Sequence, residues 1–367
     1  MVQLLLRRAK RHRWTVALLA AASGVLLSAA SALPPARPHE EARTAWEMSL
    51  DGGRSLTWER SFQSESEVKP NRGFWNKVLD FVAGAPDYRF LVRPYSVVVD
   101  SKGRVILSDP GVRGVHIFDF VERKYKFIQH ESTKTGSMIS PQCVAVDAQD
   151  NIYVTDSEAG VIFVFAPSGK FLRSIGSLKG GEGYFKRPTG IAVNSADKKI
   201  YVTDTLRDEI FVLDLDGTIV QTIGKEGSGE GEFNDPTELR LDGNNLIVVD
   251  AMNFRIQVLD LSGRFQFAIG KIGDSAGAIF RPKATAVDSE GDIYVVDALW
   301  GLVQVFNRES QLLYYFGTKG TRAGEFQLPS GLFIDRADRV YVVDSFNRRV
   351  QVFHYSGVRR ESQEAGQ

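Results

Sequence analysis

The chain has 367 residues, 43% hydrophobic and 25% charged, a globular balance that excludes disordered and collagen-like chains. Its formal net charge is zero, but the first 32 residues hold five basic and no acidic side chains, leaving 40 basic against 45 acidic in the remainder. A domain-wide basic footprint for nucleic acid is therefore excluded, and the single cysteine, Cys143, excludes an internal disulfide.

In chain order, a basic run (Arg7 to Arg13) precedes the small, apolar stretch 15–32, which ends in Ala30-Ser31-Ala32. That is the layout of a secretory signal peptide cleaved at an A-x-A site. The alternative is an uncleaved inner-membrane anchor through residues 15–32, just long enough to span. Either way the expected location is periplasmic or secreted. Residues 33–54 read as a linker. Residues 55–62 (SLTWERSF) alternate like an outer β-strand. Within 69–89, Phe74, Trp75, Val78, Leu79 and Val82 recur at helical spacing, which predicts a short helix over about 72–83.

From about residue 89 the chain is periodic. Six prolines (94, 141, 188, 236, 282, 329) precede apolar strands, and six aspartates (109, 156, 204, 250, 297, 344) end a second strand, both recurring every 46–48 residues. Each unit holds four short β segments; in the fourth these are 238–242, 246–250, 255–260 and 265–270, separated by Gly, Asp, Asn and Ser. Four-stranded antiparallel units at this period predict an all-β fold, a six-bladed β-propeller. The tail GVRRESQEAGQ is too polar for an outer strand, so residues 55–62 are expected to complete the sixth blade and close the ring, making 55–363 one domain and covering an otherwise bare edge.

The recurring pattern, best seen in Pro329–Phe353 (PSGLFIDRADRVYVVDSFNRRVQVF) and Val249–Leu259 (VDAMNFRIQVL), resembles the NHL-repeat family over about residues 89–363. The resemblance implies six blades and partner binding on a rim of loops. Some similar propellers are zinc lyases with several histidines converging on the channel. Here only His116, His130 and His354 lie in or near blades, with His116 and His354 at third strands away from any shared mouth. No H-E-x-x-H, G-x-S-x-G or P-loop motif occurs. No catalytic residue, metal ligand or cofactor is therefore assigned.

The six repeating aspartates read as structural, each accepting backbone N–H bonds in the turn that follows it. Departures from the repeat point to function. The first inner-strand position runs Ser96, Cys143, Gly190, Glu238, Ala284, Gly331, and two residues on it runs Val98, Ala145, Ala192, Arg240, Ala286, Phe333. Only the fourth blade puts charges there, Glu238 and Arg240, either as a salt bridge shaping the channel or as a ligand contact. One face also gathers Arg93, Lys186, Arg187, Arg207 and Arg281 with Arg113, Phe254, Lys283, Trp300 and Arg348, an arginine and aromatic composition typical of interfaces. Asn253, Arg255, Asn347 and Arg349 belong to the repeat's own N-x-R motif. The expectation is a monomeric, non-enzymatic scaffold for an exported protein or an anionic glycan, with no nucleic acid and no membrane contact beyond its N-terminal segment. The alternative is a lyase or lactonase with a metal in the channel near Glu238.

Overall fold

The structure, a computed structural model, describes residues 46–69, 88–176, 185–273 and 277–357. The stretch 1–32, most of 33–54 and the helix expected over 72–83 lie outside the described residues. Within them, the sheet order gives six antiparallel blades in a ring, the first five each running inner to outer in chain order. The fourth blade is Pro236–Asp242, Asn245–Asp250, Arg255–Asp260 and Phe265–Ile269. Val, Ile, Leu and Phe fill both sides of the middle strands because neighbouring blades cover both faces, so each such strand reads as an unbroken apolar run. The core is correspondingly six apolar layers, one between each pair of adjacent blades, instead of a single centre.

The ring closes as the sequence predicts. Ser55–Phe62 pairs antiparallel with Arg349–Ser356, from Ser55 opposite Ser356 to Phe62 opposite Val350. Leu56 and Phe62 are wholly buried. The segment read as linker contributes more than a connection. Glu47–Ser49 adds a fifth strand outside Ser55–Phe62, and the alternating Trp46, Met48 and Leu50 pack on the layer between blades five and six. The Trp46 ring stands edge-on to Phe353 at 5.2 Å.

Two features of the inner strands set up the candidate site. Small residues at the first inner position let the strands crowd the axis: a Cβ on Gly190 would come within 2.8 Å of the Glu238 backbone, and one on Gly331 within 2.6 Å of the Tyr95 carbonyl oxygen. In blades two to five the ladder also shifts just after the leading proline, as between Pro236 and Glu238. Such a bulge takes the residue after the proline out of the pairing and re-aims it.

In blades one, two and five the repeating aspartates accept backbone N–H bonds in the turn that follows, as expected, whereas Asp250 and Asp344 take an asparagine side chain from that turn instead. Asp109 accepts the N–H of Gly111 in its own turn at 2.9 Å. Each one also reaches back to the segment leading into the inner strand of its blade. Asp109 accepts from the backbone of Val92 and Arg93 (2.7 and 3.0 Å), Asp204 from Lys186 and Arg187 (2.8 and 2.9 Å), and Asp297 from Phe280 and Arg281 (2.7 and 3.3 Å). In the fourth blade Asp250 adds Asn253 Nδ2, Arg255 Nε and Gln257 Nε2 at 2.9, 2.7 and 3.1 Å. Asp250→Asn is expected to keep the fold but cost about 2 kcal/mol, since a fully buried charge-assisted network loses its charge. A urea melt with unchanged slope and a lower midpoint checks this.

Candidate functional site

The ends of the second strands and the leads into the inner strands emerge on one side of the ring, here called the aspartate face. The aspartates clamp the backbone of those leads, so the side chains just before each proline are held at fixed stations around the channel mouth. The last residue before the proline is Arg93, Ser140, Arg187, Asp235, Arg281 and Leu328 in blades one to six. Arginines therefore occupy the alternate blades one, three and five. Inside them, Lys283 sits at the bulge position of the fifth blade, half-buried. Burial, then Arg281 and Arg187 beside it, push its ammonium pKa below the usual lysine range.

Deeper in the channel, Glu238 is 3% exposed. Its Oε2 accepts the Thr285 N–H at 3.0 Å and the Thr285 hydroxyl at 3.3 Å, tying blade four to blade five. Its Oε1 lies 2.7 Å from Arg240 Nε as an ion pair, without the alignment of a directed hydrogen bond. Arg240 then crosses the axis. Its Nη2 donates to the Leu332 carbonyl of blade six at 2.9 Å and, more weakly, to the Val97 carbonyl of blade one at 3.4 Å, with the Phe333 ring 5.8 Å from the guanidinium. Burial raises the Glu238 pKa, and Arg240 opposes that shift. The neighbouring Cys143 thiol, buried and near the Glu238 charge, is pushed up to about 12, which keeps it a thiol at neutral pH.

The remaining residues singled out from sequence separate into two groups. Arg113, Phe254 and Arg348 hold the same station, the last residue of the second-to-third-strand turn, each in the left-handed region (φ 54°, 56° and 55°). Arg113 and Arg348 are exposed, while Phe254 packs on Phe280 with centroids 5.9 Å apart. Trp300 is 47% exposed at the tip of the fifth blade's turn. These four stand on the outer rim, Lys283 in the mouth, and Glu238 with Arg240 inside the channel, so the seven do not form one cluster. Asn253 and Arg255 hold the preceding connection through the carbonyls of Gly227, Ser228, Gly229 and Glu232, and Asn347 and Arg349 repeat the arrangement. His116 is buried in a third strand, its Nδ1 2.7 Å from the Tyr125 hydroxyl.

Sequence reasoning missed the apolar tips. Two residues after the repeating aspartate, blades three to six carry Leu206, Met252, Leu299 and Phe346, all exposed. Two residues before the proline, blades one, two and five carry Val92, Ile139 and Phe280, also exposed. Ten of the fifteen large apolar side chains exposed among the described residues stand on the aspartate face, where every blade contributes at least one. The signal was available as a column of the repeat alignment, but its members look like ordinary turn residues one at a time. On the opposite face, a cavity of about 680 Å³ opens where the first-to-second-strand turns converge, lined by Asp100, Asp147, Asp335, Val146, Leu241 and Phe333 among others. Asp100 and Asp147 are engaged in their own turns, as Asp147 is with the N–H groups of Gln149 and Asn151, and Asp150 accepts from Ser101 of the first blade.

Residues 189–267 match the model of the DUF5128 family, described as a 6-bladed beta-propeller. No curated protein matches the chain. Among solved structures, a protein of unknown function from Bacteroides thetaiotaomicron is similar at 12% identity and a TM-score of 0.58, over 85% of this chain and 84% of that one. An auxiliary nutrient binding protein from the same organism is similar at 15% identity and 0.54, over 74% and 70%. A catalytically inactive virginiamycin B lyase from Staphylococcus aureus, crystallised with quinupristin, is similar at 14% identity and 0.52, over 72% and 95%. At these identities the likeness is one of fold, and with the blade count it makes this chain a six-bladed β-propeller.

Proposed function

We propose that this protein is a non-enzymatic scaffold of NHL-type repeats, exported to the periplasm or beyond, that docks a partner protein on its aspartate face. The observation that carries the reading is the one-sided distribution of exposed apolar side chains, with arginines inside the crown they form. An apolar, arginine-containing surface excluding water at its centre is where binding energy concentrates. A free anionic glycan would engage the arginines but leave Leu206, Met252 and Phe346 in water. The alternative lyase or lactonase reading places a metal at Glu238, whose carboxylate is already committed to Thr285 and Arg240. Among the described residues no group of three His, Cys, Asp or Glu side chains stands ready to ligate an ion.

The test compares capture from an envelope fraction by the wild type, by a Leu206→Ala/Trp300→Ala/Phe346→Ala chain, and by a Val121→Ala control on the other face. One partner captured by wild type and control is expected to bind the triple variant at least tenfold more weakly, about 1.4 kcal/mol. Equal capture of every partner by all three chains would remove this face from consideration.

A further inference from the structure

The mouth of the channel on the aspartate face gathers basic side chains although the chain beyond its N-terminal segment does not. Beyond residue 32 the protein carries a net excess of acid, 45 acidic to 40 basic side chains. Yet the six stations immediately before the inner-strand prolines hold three arginines and one aspartate, and the bulge station behind them adds Lys283. The three arginines alternate with non-basic residues, so blades one, three and five each place one at the channel mouth. Lys283 lies within electrostatic range of Arg281 and Arg187, and Tyr95 within range of Arg187 and Arg93, which links all three to the same small volume. Among the described residues none of Arg93, Arg187, Arg281 or Lys283 makes a side-chain ion pair or hydrogen bond, whereas Arg255 and Arg349 are fully engaged. Glu238 just below is matched by Arg240 and leaves no spare negative charge.

Like charges gathered at a partly desolvated mouth repel one another unless an anion joins them. Guanidinium groups are suited to that, since each can hold a carboxylate with two parallel N–H bonds. We propose that Arg93, Arg187 and Arg281, with Lys283 behind them, form a socket for the carboxylates of an acidic segment that the docked protein inserts into the channel mouth. This rests on the docking reading above and adds the chemistry of the partner. The apolar crown around the socket favours a polypeptide, whose flanking residues cover the crown while its acidic tip neutralises the centre. Asp235, the one acid at these stations, limits how many carboxylates can enter and sets the approach toward blades one, three and five.

The probe is fluorescein-labelled hexaglutamate, with a heparin-derived hexasaccharide as the sulfated-glycan arm, both read by anisotropy at two salt concentrations. Hexaglutamate is expected to bind the wild type, and to bind an Arg93→Ala/Arg187→Ala/Arg281→Ala chain at least tenfold more weakly, with a shallower salt dependence. An Arg113→Ala/Arg348→Ala chain, which removes two exposed arginines from the outer turns, should bind as the wild type does. All three chains should melt together, because every substituted side chain is exposed. No binding by the wild type, equal binding by the inner triple variant, or an equal loss in the outer double variant overturns the socket. Preference for the hexasaccharide over hexaglutamate by tenfold or more overturns the acidic polypeptide as occupant. If partner capture is lost in the Leu206/Trp300/Phe346 variant but untouched in the inner triple variant, the docking face stands and the socket falls.

Discussion

An Arg240→Ala chain is expected to lose about 3–5 kcal/mol of stability and to melt about 8 °C below the wild type. The substitution strands the Glu238 carboxylate at 3% exposure with only Thr285 for company, and it frees the Leu332 and Val97 carbonyls that face the axis. The inner strands have no neighbour on their axial edge, so Arg240 serves as a shared partner for two of them at once. Removing both charges should be milder. A Glu238→Ala/Arg240→Ala chain is expected to recover more than half of the loss, because an absent pair costs less than a broken one. The pH dependence has a definite sign. Burial already raises the Glu238 pKa, and losing Arg240 raises it further. A carboxyl whose folded pKa lies above its unfolded one destabilises the fold at high pH, and that penalty fades as pH falls through the folded value. The gap between Arg240→Ala and wild type should therefore narrow from pH 8 to pH 5.5. A double variant whose loss equals the sum of the Glu238→Ala and Arg240→Ala losses would show that the two charges are not coupled.

The second large effect concerns the closing strand. A chain beginning at Gln63 loses Leu56 and Phe62, both wholly buried, and bares the whole edge of Arg349–Ser356. Each such side chain is worth about 2–5 kcal/mol, so the loss approaches the total stability of an ordinary domain. Size-exclusion chromatography should find this chain aggregated. A chain beginning at Ser55 keeps the closure and loses only the outer strand and Trp46, so it should stay monomeric and melt a few degrees early. A monomeric Gln63 chain melting with the wild type would refute the closure.

What could be read without coordinates followed the period. Pro94 to Pro329 and Asp109 to Asp344 mark the blades because every unit meets the same two constraints, a strand start with no N–H to donate and a turn needing an acceptor. The closing strand over Ser55–Phe62 was legible for a different reason, since the tail of the sixth unit reads as too polar for an outer strand. The oddity of Glu238 and Arg240 was also visible, as two charges in columns of small and apolar residues. The reach of Arg240 was not, because only the ring brings Leu332 and Val97 to it from 92 and 143 residues away. The second task of the aspartates escaped because their partners are backbone groups 16 to 18 residues back, as Arg93 and Val92 are from Asp109 and Lys186 is from Asp204, and backbone groups have no sequence identity. The strand Glu47–Ser49 escaped because three residues of alternation look like a linker until Trp46 is seen against Phe353.

The register of the closing strand also has a consequence in time. Ser55 must find Ser356, some three hundred residues later in the chain. While the protein is being made, or threaded through a pore from its first residue, that strand emerges early and has nothing to pair with until nearly the last unit has followed. Five blades can assemble from local hairpins in the interval, but the ring cannot lock. Throughout that wait two hydrogen-bonding edges lie open, so the vulnerable species is the nearly finished chain, and a chaperone or a fast late hairpin has most to do in the final moments of its synthesis.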